Sequence, residues 1–193
     1  MKTNLVLCCL LALSLGASAQ KIVYDHVDCN GIRNIKCSEI DVNGNFSGSL
    51  YMTMSASNYG DSTCYYIDIE TNLDKHDTST SAPASARTLF KTVNGDVIVK
   101  RSVARQVTES RLNRVITFNE VSRTIKLTYK VTQEEINRFI TDGVEKLRIE
   151  LNSNKTHDYK INKKNINKFF SKEYNLIQEA LATEKSDTFE DGF

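Results

Sequence analysis

Residues 89–105 read LFKTVNGDVIVKRSVAR, two apolar-rich runs parted by Asn94-Gly95. Asn and Gly enter positive φ at the least cost, and a tight turn built on them twists in the sense that paired antiparallel strands require. The stretch predicts a hairpin with strands over Leu89–Val93 and Asp96–Arg105. Asn30-Gly31 repeats the signal between Ile22–Cys29 and Ile32–Val42, and Asn43-Gly44 repeats it ahead of Phe46–Met54.

Alternation outward from these turns agrees. Phe46, Gly48, Leu50, Met52 and Met54 share one strand face, and Ser47, Ser49, Tyr51 and Thr53 share the other. Ile125, Leu127, Tyr129 and Val131 alternate with Lys126, Thr128 and Lys130, and Leu147, Ile149 and Leu151 alternate with Lys146, Arg148 and Glu150. Side chains two apart point the same way, so each strand has one dry and one wet face, the mark of antiparallel sheets. Cys64–Glu70, Arg114–Phe118 and His157–Ile161 predict further strands.

Two helices break the pattern. Thr132-Gln133-Glu134-Glu135 spells a capping box, followed by Ile136, Phe139 and Ile140 and stopped by Gly143. A longer helix is predicted over about 165–183, where Ile166, Phe169, Phe170, Tyr174, Ile177 and Leu181 recur at three- and four-residue steps. Burying those six gains about 9–18 kcal/mol as an upper bound, so the helix must dock on a sheet. Leu89, Leu127 and Leu147 are the strand residues expected to meet it. The fold class that follows is α+β: a mostly antiparallel meander or sandwich with a short helix and a C-terminal amphipathic helix packed on it.

The division of the chain follows from its ends. Lys2, the apolar run Leu5–Leu15 and the Ala17-Ser18-Ala19 pattern predict a signal peptide over 1–19, cleaved so that Gln20 becomes the first residue. The run is about half of what a membrane span needs. Leu7 before Cys8 does not suit a lipoprotein signal, which leaves Cys8 and Cys9 as apolar filler. Residues 20–183 then form a single β-rich domain, with a long polar surface loop around Asn72–Ala86, and 184–193 form a loose acidic tail. The protein is expected to be exported, to the periplasm or the extracellular space, with no transmembrane segment after cleavage.

Charge narrows the function. The chain has 25 Lys and Arg against 24 Asp and Glu, and Lys2 is the one charge in the leader, so the remainder is neutral. That excludes the basic excess of a nucleic-acid binder. Past the leader lie Cys29, Cys37 and Cys64, an odd count that permits one disulfide in an oxidising compartment and leaves its pairing open.

No catalytic motif occurs: there is no Gly-x-Ser-x-Gly, His-Glu-x-x-His or phosphate-binding glycine loop. Asp25-His26 with Asp28, and Asp74 with His76 and Asp77, place oxygen and imidazole ligands close in sequence. Both fall short of the convergent sets that zinc and calcium take, so no metal and no cofactor is expected. Lys160, Lys163, Lys164, Lys168 and Lys172 read as the solvated side of the last helix. Tyr51, Tyr59, Tyr65 and Tyr66 cluster on and beside two adjacent strands and are the candidate partner surface. The function expected is that of a non-catalytic binding or structural module engaging a glycan or protein of the envelope. The rivals are a secreted hydrolase with carboxylate or Cys/His chemistry assembled from distant strands, and a small-ligand carrier with a cavity between sheet and helix.

Overall fold

A computed structural model describes residues 20–42, 50–73, 86–111, 121–152 and 155–183. Among these residues eleven strands are seen: β1 (Ile22–Val27), β2 (Arg33–Cys37), β3 (Ile40–Asp41), β4 (Leu50–Asn58), β5 (Thr63–Leu73), β6 (Arg87–Thr92), β7 (Val97–Arg101), β8 (Ala104–Arg111), β9 (Val121–Val131), β10 (Val144–Asn152) and β11 (Lys155–Lys160). The helices are α1 (Gln133–Asp142) and α2 (Lys163–Ala182). Every strand pair is antiparallel. One sheet has seven strands in the order β1-β2-β4-β5-β9-β8, with β3 also on β4, and the other runs β11-β10-β6-β7. The α+β class with a packed C-terminal helix is what the periodicities required.

Two of the three Asn-Gly turns lie within the described residues, and both close hairpins. Gly31 (φ 75°) turns β1 into β2 and Gly95 (φ 94°) turns β6 into β7. Both loops are longer than a two-residue turn: Asp28 N–H donates to Ile32 O, enclosing Cys29-Asn30-Gly31, and Thr92 N–H donates to Asp96 O, enclosing Val93-Asn94-Gly95. Asn43-Gly44, the expected strand Arg114–Phe118, the expected leader 1–19 and tail 184–193, and most of the expected long loop lie outside the described residues. Two expected strands divide. Ile32–Val42 becomes β2 and β3 with Ser38-Glu39 between them, and Asp96–Arg105 becomes β7 and β8 at Ser102-Val103. At the second break the chain leaves the small sheet for the large one, and Val103 N–H donates to Thr128 O.

The alternation sends one face of each sheet into a shared core. Met52, Met54, Ile67, Ile69, Ile125, Leu127 and Tyr129 enter from the large sheet, and Phe90, Leu147 and Ile149 from the small one. Polar links cross the interior. Tyr129 OH meets Thr88 Oγ1 at 2.5 Å and Tyr159 OH meets Thr71 Oγ1 at 2.8 Å. Burial pushes the Tyr129 phenol well up, against the Thr88 hydrogen bond, so it stays neutral. Tyr129→Phe is expected to cost about 1–2 kcal/mol, because Thr88 loses its partner in a dry site. Urea denaturation measures this, and an unchanged midpoint would show that the hydroxyl pair does not contribute.

The α1 capping box forms as spelled: Glu135 N–H donates to Thr132 Oγ1 at 3.1 Å and Thr132 N–H to Glu135 Oε2 at 2.8 Å. On α2, Asn162 caps Lys164 and Asn165, and Ile166, Phe169, Phe170, Tyr174 and Ile177 are buried against β2, β4 and β10. Leu181 is only partly buried. Leu127 and Leu147 do reach the core, but Leu89 does not. Its register partners Val99 and Arg148 put it on the outer face of the small sheet, where it helps line a shallow cleft of about 180 Å³.

Candidate functional site

The core covers one face of the seven-stranded sheet, and among the described residues no element packs on the other. The strand periods decide what that open face carries. β4 presents Tyr51, Thr53, Ser55 and Ser57; β5 presents Cys64, Tyr66, Asp68 and Glu70; β9 presents Lys126, Thr128 and Lys130; β2 adds Asn34 and Lys36. This is a broad, polar, strand-built surface.

Asp68 sits at its centre. Oδ1 accepts from Thr128 Oγ1 at 2.7 Å, and Oδ2 lies 2.9 Å from Lys126 Nζ and 3.8 Å from Lys36 Nζ. Burial works against the charge on Lys126, but the Asp68 hydrogen bond and charge, with Lys36 and Glu70, together outweigh it and the ammonium is held above its ordinary range. Lys36 is pushed down, by burial first and then by Lys126. Glu39 is pushed up by burial and by the nearby Glu70 carboxylate. At the end of the face, Tyr66 lies directly across from Lys130, with Cys64 one step along. Burial raises the Tyr66 hydroxyl, helped by Cys64 and Tyr59. The Lys130 ammonium, hydrogen-bonded to Cys64, is held above its ordinary range.

The four tyrosines do not share one surface. Tyr51 and Tyr66 face outward. Tyr59, 50% exposed, projects from the β4–β5 turn, where its N–H donates to Ser62 O. Tyr65 points the other way. It is 6% exposed, packs edge-on against Tyr174 at 5.7 Å, and its OH accepts from Gln178. Adjacent strand residues face opposite sides, so Tyr65 and Tyr66 could not both be exposed on one flat sheet.

The weak metal candidates Asp74, His76 and Asp77 lie outside the described residues. Among the described residues no group of three His, Cys, Asp or Glu side chains could hold a metal ion. His26 pairs with Asn34 and His157 with Ile149, so neither stands opposite a cysteine.

Cys29, Cys37 and Cys64 are all free thiols. Cys64 is on β5, and β4 and β2 separate it from the β1–β2 turn that holds Cys29. At about 4.8 Å per strand, that exceeds what a disulfide spans. Cys37 is buried in the core, and burial together with Glu173 pushes its thiol up to about 12. A thiol-specific aromatic disulfide reagent is expected to modify Cys29 and Cys64 in the native protein and to leave Cys37 until the chain unfolds. Fast labelling of all three would contradict the packing around Cys37.

Sequence reading missed Glu173. It stands in the apolar stripe of α2 and is 0% exposed. The β2–β4 ladder ends at Lys36–Ser55 and resumes with β3 at Ile40–Met52. In the gap, Met54 N–H donates to Glu173 Oε2 at 2.7 Å. Burial lifts the carboxyl to about 8, with the Met54 and Gln20 contacts pulling the other way. Beside it, a cleft of about 210 Å³ is lined by Gln20, Glu39, Ile40, Asp41, Asn165 and Lys168. The signal available in advance was an acidic residue one position before Tyr174, on the buried side of a 3.6-residue repeat.

Among the described residues, no helix is long and apolar enough to cross a membrane. Comparison with known protein families, with curated proteins and with solved structures finds no match to this chain.

Proposed function

We propose that this chain is an exported, non-catalytic binding module whose open sheet face engages a glycan of the envelope or the extracellular space. One observation carries the reading. The wet face of the seven-stranded sheet bears Tyr51 and Tyr66, with Tyr59 at its end, and no described element packs on it. Aromatic rings stack on the C–H faces of sugars, while carboxylates, ammoniums and hydroxyls take the sugar hydroxyls. Asp68, Glu70, Lys36, Lys126, Thr128 and Lys130 supply those groups on rigid strands. The leader 1–19 supports export.

The rivals have less support. Asp68, the central carboxylate, is engaged by Thr128 and two lysines rather than facing a second acid. The interior that a carrier would hollow out is filled by Phe90, Phe139, Phe169 and Phe170, whose neighbouring ring centroids are 4.7–5.0 Å apart.

Titration calorimetry against a panel of soluble cell-wall oligosaccharides tests the proposal. Tyr66→Ala is expected to weaken binding about tenfold, equivalent to about 1.4 kcal/mol. Val99→Ala, on the outer face of the small sheet, is expected to leave it unchanged. Binding indifferent to Tyr66→Ala and Tyr51→Ala, or turnover of an oligosaccharide, would overturn the proposal.

A further inference from the structure

Gln20 is the residue that cleavage after Ala19 would leave first. Its neighbour is pinned to the end of β2: Lys21 N–H donates to Ser38 Oγ at 3.2 Å, and Ser38 N–H donates to Lys21 O at 2.7 Å. The Gln20 side chain reaches the Glu173 carboxyl. Gln20 Oε1, Gln20 Nε2 and Glu173 Oε1 are all buried, and none closes a hydrogen bond of good geometry. A primary amide and a carboxyl with buried polar atoms therefore lie together at the edge of the cleft, beside the place where a new α-amine would be released.

We infer that this pocket promotes cyclisation of Gln20 to a pyroglutamyl terminus, with Glu173 as the proton donor. The neutral α-amine attacks Gln20 Cδ. The Nα–Cδ bond forms and the Cδ–Nε2 bond breaks. Glu173 gives a proton to the departing nitrogen, which leaves as ammonia, and is reprotonated by the proton that the α-amine sheds. The step needs no oxidant and no co-reactant.

Two features favour it. A buried amide that closes no hydrogen bond of good geometry is destabilised in its ground state. Burial keeps Glu173 protonated at neutral pH, while an ordinary α-amine, with a pKa of about 7.7–8.0, is partly neutral there. The groups packed against Glu173 add no charge at neutral pH. Gln20 and the Met54 amide are neutral, and the Cys37 thiol, whose Sγ lies 3.7 Å from the Glu173 carbonyl, is held protonated.

The inference rests on the export reading, and the experiment separates the two failures. The full chain is first expressed with its own leader, and the N-terminus of the exported protein is read by mass spectrometry. A retained Met1 overturns the export reading and this inference with it, whereas a cut elsewhere overturns this inference and leaves export standing. The chain beginning at Gln20 is then released in vitro by a specific protease, and the loss of 17 Da expected for ammonia is followed at pH 7.5. Folded protein is expected to cyclise at least about tenfold faster than the same chain in urea, and Glu173→Gln is expected to remove most of that advantage. A free Gln20 amine that persists in the folded protein, or equal rates folded and unfolded, overturns the inference while leaving export standing. Glu173→Gln keeps an acceptor for Met54 N–H, and circular dichroism confirms that the variant compared is folded.

Discussion

Phe170→Ala is expected to remove about 3–5 kcal/mol of folding stability, a large share of what a domain of this size possesses. The ring stacks on Phe139 of α1 at 4.7 Å and meets Phe169 edge-on at 5.0 Å. Phe139 in turn lies 5.0 Å from Phe90 of β6. Phe170 thus ties both helices to the small sheet, and truncating it leaves a cavity that the fixed strands cannot fill. Thermal unfolding should shift down by about 10 °C, at the 2–4 °C per kcal/mol usual for this chain length. Phe170→Leu keeps most of the volume and is expected to lose less than half as much. Equal losses for the two variants would contradict a tightly filled ring stack.

Glu173 governs the second large effect, which depends on pH. The carboxyl binds its proton more tightly in the folded protein, at about 8, than at its ordinary 4.5. Its contribution is therefore fully present below the lower value and is lost as pH rises from 4.5 towards 8. By pH 7 the loss amounts to about 3 kcal/mol, taking about 1.4 kcal/mol per unit. Glu173→Gln keeps the hydrogen bond from Met54 and cannot ionise. It is expected to match the parent near pH 4.5, to exceed it by that amount at pH 7, and to flatten the profile between. Urea denaturation across pH 4–9 reads the result, and parallel profiles for the two proteins would show that Glu173 is not buried as described. Glu173→Ala, which leaves Met54 N–H without an acceptor, is expected to be destabilising at every pH.

The strand framework was legible because period and turn chemistry are local. Asn94-Gly95 announced its hairpin, Thr132 with Glu135 announced the start of α1, and the stripe Ile166 to Ile177 announced a helix that must be buried. What escaped depended on neighbours distant in sequence. The division of Asp96–Arg105 at Ser102-Val103 carries no Gly or Pro, because the chain changes sheets there through pairing with β9, which no local residue encodes. Tyr65 looked like part of an aromatic cluster, whereas the single-residue alternation of β5 sends it inward to Tyr174. Glu173 looked like one of the many charges on an amphipathic helix. Its meaning appears only once β4 brings an unpaired Met54 N–H to it across a gap in the ladder. The open face is an intermediate case: its residues were written in the alternation, but which side the small sheet would leave bare was not.

The most direct test of the binding proposal is ring NMR of the protein labelled at its eight tyrosines, titrated with the cell-wall oligosaccharide that binds most tightly by calorimetry. Shifts confined to the open-face tyrosines Tyr24, Tyr51, Tyr59 and Tyr66, with Tyr65, Tyr129 and Tyr174 unmoved, are the predicted result. Shifts at Tyr159 with the outward-facing tyrosines silent would place the binding surface elsewhere and contradict the account.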